Sequence, residues 1–395
     1  MKKKTSLFLT LALSSSLLLV ACGNQEASNA DATEGAGTES TTEETREVAT
    51  AGPITINPNI PDKEILDKGP HGEDAASAKE LELTEAEVEE IKAGEYTAAI
   101  VMHYAGTDYM TAQVQALEAT FERMGIEVIA VTDAQFSAEK QVTDLESVLA
   151  RNPDVIVTVP VDPVSTASAY KRAADAGVKL VFMDGVANDL VPGEDYVSIV
   201  SGDNAGNGVV AAELMGEQLG GEGKIGVIYH DADFFVTAQR TAAFEETIAE
   251  KYPNMEIVAR GGITGPNDGE EVAAAMLTRN PDLDGIFVVW DVPAEGAISA
   301  AKNAGKSDLV ITTTDLGTRV GLEMATGGPI KGIGAQLPYD QGIAEAILAG
   351  YALLDKEAPP YVTTPALEVT QDNLLDSWKL VYGVDAPDVL QDAFE

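Results

Sequence analysis

Residues 97–109 read TAAIVMHYAGTDY, an apolar run that ends abruptly in a polar turn. The run Thr97–Met102 predicts a buried β-strand, and the amphipathic stretch Met110–Met124 that follows it predicts a helix. Further apolar runs begin at Glu127 and Val155, so a strand–helix unit recurs about every 30 residues. Near-continuous apolar strands that alternate with helices are typical of a parallel sheet covered on both faces.

The alternation continues in two series, which are joined around residues 202–223. The strands predicted in the first series are Thr97–Met102, Glu127–Val131, Val155–Val159, Lys179–Met183 and Tyr196–Ser201. Those predicted in the second series are Lys224–Tyr229, Glu256–Ala259, Gly285–Trp290, Leu309–Thr314 and Ile330–Ala335. Two series predict an α/β protein with two doubly wound lobes, whose ligands bind at the carboxyl ends of the strands.

Composition and charge exclude several classes of protein. The 395 residues include 25 basic and 65 acidic side chains, a net charge of −40. This charge opposes nucleic-acid binding, which needs a basic face toward the phosphates. One cysteine allows neither a disulfide within the chain nor a four-thiolate zinc site, and no two of the three histidines form a helical pair of metal ligands. We expect no cofactor, no metal and no catalytic activity.

Residues 1–21 are typical of an export signal. Lys2–Lys4 supply its positive charge, and the apolar run Leu7–Val20 is too short to span a bilayer comfortably. Cys22, the only cysteine, directly follows Ala21, and this junction resembles the lipobox of bacterial lipoproteins, in which the cysteine is acylated. The resemblance implies a lipid anchor on the outer face of the cell membrane; an ordinary cleaved signal with a chance cysteine is the alternative.

The segment after the signal is acidic. Because residues 24–52 contain almost no large apolar side chain and the acidic charge continues beyond them, residues 22–82 are predicted to form an acidic disordered tether. Thr84 and Glu87 then form the pattern of a capping box, which predicts a short helix within residues 83–95.

Carboxylates, amides and aromatic rings follow the strands of both series. Carboxylates accept strong hydrogen bonds from hydroxyl groups, and rings stack on the C–H faces of a sugar. The rings that could stack in this way are Tyr104, Tyr109, Phe234, Phe235 and Trp290. Arg240, at the start of a helix, is expected to face the same cleft. For any single aspartate, such as Asp108, Asp162 or Asp203, a turn or helix-capping role is the alternative.

Three stretches, Trp290–Gly296, Thr312–Gly317 and Gly334–Pro338, resemble the type I periplasmic sugar-binding proteins of the ribose-binding-like branch. The resemblance extends from about Tyr96 to Thr370. It implies two Rossmann-like lobes, joined by three hinge strands, that close on a monosaccharide for an ABC importer. With the strand-end rings, the predicted ligand-binding residues are His103, Thr107, Tyr109, Asp184, Phe235, Arg240, Trp290, Asp291, Asp315 and Gln336. We place the N-lobe at residues 96–202 with 337–366, and the C-lobe at 203–336 with 367–395.

The resemblance to ribose binders has three departures. Those proteins have two phenylalanines where this chain has Tyr109 and Met110, an arginine where it has Gly185, and an asparagine where it has Trp290. These changes alter hydrogen bonding and pocket volume. The departures argue against ribose itself, and a different pentose, a deoxyhexose, a polyol or a furanosyl signal molecule fits equally well.

The sequence thus predicts a monomeric, extracytoplasmic solute-binding lipoprotein. Its expected partners are a small sugar or polyol, the permease and ATPase subunits of an ABC importer, and the membrane through the lipid anchor, with no nucleic acid. A receptor that presents its ligand to a sensor kinase or chemoreceptor is an alternative, and so is a nucleoside-binding lipoprotein. A glycosidase would need two carboxyl groups about 5–9.5 Å apart across the scissile bond, and nothing in the sequence fixes such a pair.

Overall fold

A computed structural model describes residues 51–394 of the protein. The predicted signal, Cys22 and the first part of the predicted tether lie outside these residues. The strands, in chain order, are β1 (Ala76–Ser77), β2 (Thr97–Met102), β3 (Glu127–Asp133), β4 (Val155–Thr158), β5 (Lys179–Met183), β6 (Ser198–Gly202), β7 (Glu222–His230), β8 (Asn254–Ile263), β9 (Gly285–Val288), β10 (Val310–Thr314), β11 (Ile330–Ala335), β12 (Tyr361–Thr364) and β13 (Leu367–Val369).

Helices alternate with these strands. They are α1 (Glu85–Lys92), α2 (Asp108–Arg123), α3 (Ala138–Leu149), α4 (Ala167–Asp175), α5 (Asn204–Gln218), α6 (Phe235–Lys251), α7 (Gly269–Arg279), α8 (Asp291–Asn303), α9 (Thr318–Ala325), α10 (Pro338–Leu353), α11 (Leu374–Tyr382) and α12 (Asp388–Gln391). The capping box predicted for α1 is confirmed, because the Thr84 side chain accepts from the Glu87 amide and the Glu87 side chain accepts from the Thr84 amide. Among the helices of residues 51–394, none combines the length and the apolar character that a membrane span requires.

The strands form two sheets. The N-lobe sheet has the order β1-β12-β6-β5-β4-β2-β3, and all its neighbours are parallel. The C-lobe sheet has the order β13-β11-β10-β9-β7-β8 and is parallel except for β13, which runs antiparallel to β11. Every residue of the central strands β4 and β9 is buried, as a sheet covered on both faces requires. The predicted α/β architecture with two lobes is confirmed.

Three crossings of the chain connect the two sheets. The first lies between β6 and α5, the second between β11 and α10, and the third between β12 and β13. After the second crossing α10 packs against α2 of the N-lobe, while α5 packs against β10 and β11 of the C-lobe. The crossings therefore lie beside the carboxyl ends of the strands, where the predicted site residues are found.

The prediction of a disordered tether up to residue 82 is wrong for its described part. Residues 51–83, called here the N-terminal strap, bury Ile54, Ile56 and Ile60, each at most 3% exposed. Ile54 and Leu83 pair through their backbones at 2.8 and 3.0 Å, and β1 adds a strand to the edge of the N-lobe sheet. Isolated apolar residues carry no local periodicity, so composition alone did not reveal that distant parts of the chain bury them.

Candidate ligand-binding site

A cavity of about 170 Å³ lies between the two lobes, at the carboxyl ends of their strands. Eight of the ten predicted site residues line it: His103, Tyr109, Asp184, Arg240, Trp290, Asp291, Asp315 and Gln336. All eight are buried. The lobes thus bring together residues that are more than 200 positions apart in the chain, as parallel strands with facing carboxyl ends require.

Thr107 and Phe235 do not line the cavity, contrary to the prediction. Thr107 is the N-cap of α2, and its side chain accepts a hydrogen bond from the Met110 amide at 3.1 Å. Phe235 is the first residue of α6, and the preceding Phe234 lines the cavity instead. Adjacent residues at a helix start point in different directions, so a one-residue uncertainty in the boundary exchanges one ring for the other.

Phe136 lines the cavity and was not predicted. It follows β3 with a left-handed backbone (φ 57°), and its ring stacks on Tyr104 with centroids 4.2 Å apart. Its place just after the carboxyl end of a strand was the available signal. The left-handed turn at Gln135 and Phe136, which directs the chain here, has no glycine to mark it in the sequence.

A buried polar network occupies the C-lobe wall. Arg240 donates from Nε to Asn204 Oδ1 at 2.8 Å and from Nη1 to Thr314 Oγ1 at 2.9 Å and Asp315 Oδ2 at 3.0 Å. The other carboxylate oxygen of Asp315 accepts from Gln336 Nε2 at 2.8 Å. Charge-assisted hydrogen bonds of this kind are strong, so the guanidinium and the Asp315 carboxylate are fixed in place without a ligand.

The N-lobe wall contributes Tyr109 and Asp184. The Tyr109 hydroxyl donates to Gln341 Oε1 at 2.7 Å and lies 3.4 Å from Gln336 Oε1. Asp184 accepts from Ser201 Oγ at 2.9 Å. Burial raises the pKa of Asp184 to about 6, an effect that the nearby Arg240 partly offsets. The carboxyl group of Asp184 therefore titrates close to neutral pH.

Asp291 is a second buried carboxyl group of the lining that has no cation partner within residues 51–394. Burial, and then the neighbouring Asp315 carboxylate, raise the pKa of Asp291 well above its usual range. Within the described part of the chain, neither Asp184 nor Asp291 forms an ion pair, whereas Asp315 pairs with Arg240. Two buried carboxyl groups of the cavity lining are thus available to exchange hydrogen bonds with a guest.

Aromatic rings close the cavity on both sides. His103 of the N-lobe stacks on Phe234 of the C-lobe with ring centroids 5.9 Å apart, and His230 meets Trp290 edge-on at 5.2 Å. Burial, with a smaller contribution from His230, lowers the pKa of His103 to about 3, so its imidazole is neutral at physiological pH. Buried His103 Nδ1 and Trp290 Nε1 have no hydrogen-bond partner among residues 51–394. A buried polar atom without a partner is costly, so both favour a ligand that bonds to them.

The lobes also touch at the rim of the cavity. Asp108, in the first turn of α2, accepts from the Thr318 amide at 2.7 Å and from the Thr318 hydroxyl at 2.8 Å. Thr318 begins α9 of the C-lobe. These two hydrogen bonds connect the N-lobe to the C-lobe, so the lobes lie in a closed arrangement.

Comparison with known proteins assigns the family. The sequence profile of the periplasmic binding protein domain matches residues 98–358. The chain belongs to the periplasmic binding protein family. The match includes the cavity lining and most of both lobes, but it ends before β12 and β13, and the N-terminal strap precedes it.

Relatives of this periplasmic binding protein are solute-binding proteins. It is 23% identical over 259 residues to the ribose import binding protein of Salmonella typhimurium, covering 64% of this chain and 85% of the relative. It is 24% identical over 308 residues to the xylitol-binding protein of Mycolicibacterium smegmatis, covering 76% and 85%. The solved arabinose binding protein from Geobacillus stearothermophilus has a TM-score of 0.62 and 26% identity, covering 71% and 98%. The family consists of binding proteins rather than enzymes, in agreement with the expectation of no catalysis.

Proposed function

We propose that this periplasmic binding protein is the extracytoplasmic solute-binding component of an ABC importer and captures a monosaccharide or a related polyhydroxylated molecule. The observation that carries the proposal is the cavity between the lobes, which carboxyl groups and aromatic rings from both lobes line together. Relatives named for ribose import and for xylitol binding support the class of ligand.

The chemistry of the lining suits hydroxyl groups. Asp184 and Asp291 are free of ion pairs within the described residues, so each can accept from, or when protonated donate to, a hydroxyl group. Trp290 Nε1 offers a donor, and the neutral His103 ring offers Nδ1 as a donor or an acceptor. The stacked rings offer flat apolar faces to the C–H groups of a sugar.

The size of the cavity favours a small guest. Pockets for drug-sized ligands enclose roughly 300–1,000 Å³, whereas this cavity encloses about 170 Å³. Gly185, where ribose binders have an arginine, has open space around the position of a Cβ atom. Arg240 is the only arginine among the described residues that line the cavity, and its guanidinium already pairs with Asp315. This supports a neutral polyol or sugar whose hydroxyl pattern differs from that of ribose.

Closure of the lobes on a ligand gives the protein two conformations that a permease can distinguish. A ligand shifts an open–closed equilibrium only by its differential affinity for the two states. Asp184 and Tyr109 approach the ligand from the N-lobe, and Asp291 and Trp290 approach it from the C-lobe. A guest that bonds to both walls therefore favours the closed state, which delivers it to the transporter unchanged.

The lipid anchor at Cys22 belongs to the proposal on the strength of the sequence. The cysteine lies where a lipobox places it, and acylation there anchors the mature chain to the outer face of the cell membrane. Labelling of cells with a radioactive fatty acid tests this directly. Wild-type protein is expected to carry the label and Cys22→Ser to lose it; label on the variant would contradict the anchor site.

Calorimetric titration tests the ligand class. The panel is D-ribose, D-arabinose, D-allose, xylitol, myo-inositol and adenosine. Adenosine tests the alternative of a nucleoside-binding protein. We expect at least one sugar or polyol to bind with micromolar or tighter affinity. Binding of adenosine alone, or no heat with any member at millimolar concentration, would contradict the proposal.

A further inference from the structure

The N-terminal strap contacts both lobes beside the first crossing of the chain. On the N-lobe side, β1 pairs with β12, with Ala76 opposite Val362 and Ser77 opposite Thr363. On the C-lobe side, Gln239 of α6 donates from Nε2 to the Lys68 carbonyl at 3.1 Å. The strap precedes the part of the chain that the family profile matches.

Asp67 is the buried centre of this contact, with 3% of its surface exposed. Its carboxylate accepts from the backbone amides of Asn204 at 2.8 Å and Ala205 at 2.7 Å. These residues begin α5, and the first amides of a helix have no partner inside the helix. Asp67 Oδ2 also accepts from the Tyr361 hydroxyl of β12 at 3.2 Å. One carboxylate thus joins the strap, the C-lobe helix and the N-lobe sheet.

Asp203, the N-cap of α5, bonds in turn to the backbone of the strap. Its side chain accepts from the Leu66 amide and the Asp67 amide, each at 3.1 Å, and it also caps α5 through the Gly206 amide at 2.9 Å. The strap and the helix start therefore hold each other through reciprocal hydrogen bonds. The start of α5 is fixed by a segment more than 130 residues away in sequence.

Asn204 continues this junction into the ligand-binding site. Its Nδ2 donates to Ser201 Oγ at 2.9 Å and to the Gly202 carbonyl at 2.8 Å, so its Oδ1 is directed to Arg240 Nε at 2.8 Å. Arg240 in turn pairs with Asp315, which accepts from Gln336. Asp67 is thus separated from the cavity wall by one residue, Asn204.

We propose that Asp67 is a positioning residue of the ligand-binding site: by fixing the start of α5, it holds the Asn204 side chain, and through it the Arg240 guanidinium, in the orientation that faces the cavity. A carboxylate is kept buried here although burial raises its pKa to about 6. At pH 7.5 it is ionised and accepts both helix amides. The expected effect of Asp67 on ligand affinity rests on the proposed function, whereas its expected effect on exchange of the Arg240 Nε proton does not.

The first test compares Asp67→Asn with Asp62→Asn in the full chain at pH 7.5. Asp62 is the matched control, because it is an exposed strap carboxylate that pairs only with Lys79 in the described residues. Exchange of the Arg240 Nε proton is followed by NMR, with Arg240→Lys to assign the signal. We expect Asp67→Asn to accelerate this exchange at least about tenfold beyond any change in the slowest core amides, and Asp62→Asn to leave it unchanged. Unaltered exchange in a folded Asp67→Asn protein would overturn the inference.

A double-mutant cycle tests the route through Asn204. With the tightest-binding member of the sugar and polyol panel, Asp67→Asn is expected to weaken affinity about tenfold, or about 1.4 kcal/mol. In an Asn204→Ala background the same change is expected to have no further effect, because the connecting carboxamide is absent. Additive losses would overturn the route. If no panel member binds, the proposed function fails while the proton exchange still decides the role of Asp67.

A milder variant keeps the test open if Asp67→Asn does not fold. Tyr361→Phe removes one hydroxyl that bonds to Asp67 and leaves the carboxylate in place. We expect a smaller acceleration of Arg240 Nε exchange in the same direction. Exchange identical to that of the wild-type protein in this variant would count against the inference.

Discussion

The Arg240 guanidinium lies 3.0 Å from the Asp315 carboxylate, and their side chains are 4% and 10% exposed. This is the one ion pair between largely buried side chains in the described residues, and it lies in the wall of the cavity. Removal of one partner of such a pair leaves an uncompensated buried charge. The pair therefore contributes to the folded state and to the ligand site together.

Asp315→Ala is expected to abolish detectable binding and to lower the free energy of unfolding by about 3–5 kcal/mol, because Arg240 is left buried without its carboxylate. Asp291→Asn should also weaken binding strongly, but without loss of stability, because Asp291 has no cation partner among the described residues. Urea unfolding and calorimetry on both variants check this contrast. Equal destabilisation by the two changes would contradict the assigned roles.

Trp290 is expected to report on the ligand through its fluorescence. Its ring lines the cavity and its buried Nε1 has no partner among residues 51–394, whereas Trp378 packs on Tyr382 with centroids 4.4 Å apart, away from the cavity. Ligand should change the emission of wild-type protein and of Trp378→Phe. Trp290→Phe should lose the response and about 1 kcal/mol of binding energy, since it lacks the Nε1 donor. A response that follows Trp378 would refute this placement.

The contact of Asp108 with Thr318 is expected to stabilise the closed state. Asp108→Ala removes two hydrogen bonds between the lobes, so ligand should dissociate faster and bind about 1 kcal/mol more weakly. Stopped-flow measurements separate the dissociation rate from the association rate. Asp175→Ala is the control, because Asp175 is exposed and pairs with Lys171 inside the N-lobe. An unchanged dissociation rate of the ligand from Asp108→Ala would show that the Asp108–Thr318 contact does not stabilise the closed state.

Stability is expected to increase as the pH falls from 7.5 to 4.5. Burial raises the pKa of Asp184 from 3.8 to about 6, so the folded state binds a proton in this range that the unfolded state does not. The associated stability is present at low pH and is lost as the pH rises through about 6. Asp184→Asn, which keeps an acceptor for Ser201, should reduce this pH dependence by about 2 kcal/mol. Parallel pH profiles of the two proteins in urea unfolding would contradict the shift.

Much of the fold follows from local sequence patterns. The predicted strands Thr97–Met102, Lys179–Met183 and Ile330–Ala335 have the observed boundaries. The first two are mostly apolar runs that end at polar or turn-forming residues. The short strands β12 and β13 were not predicted. They contain only four and three residues, and each depends on pairing with strands that are remote in sequence.

Site residues were predictable where they directly follow a strand. They were missed where the conformation of the local backbone determines which side chain reaches the cavity. Asp184 and Asp315 follow β5 and β10 directly, and both line the cavity. Phe136 reaches the cavity through a left-handed turn at Gln135 and Phe136, and the sequence has no glycine there to indicate such a turn. The role inferred for Asp67 depends on contacts with α5 and β12, which no pattern within the strap encodes.

Calorimetric titration of the wild-type protein with the sugar and polyol panel, followed by mass spectrometry of the recovered ligand, tests the central claim most directly. We expect saturable binding of one guest per chain, which Asp291→Asn strongly weakens, and release of that guest with its mass unchanged. Absence of binding across the panel at millimolar concentration, or a recovered guest of altered mass, would contradict the account.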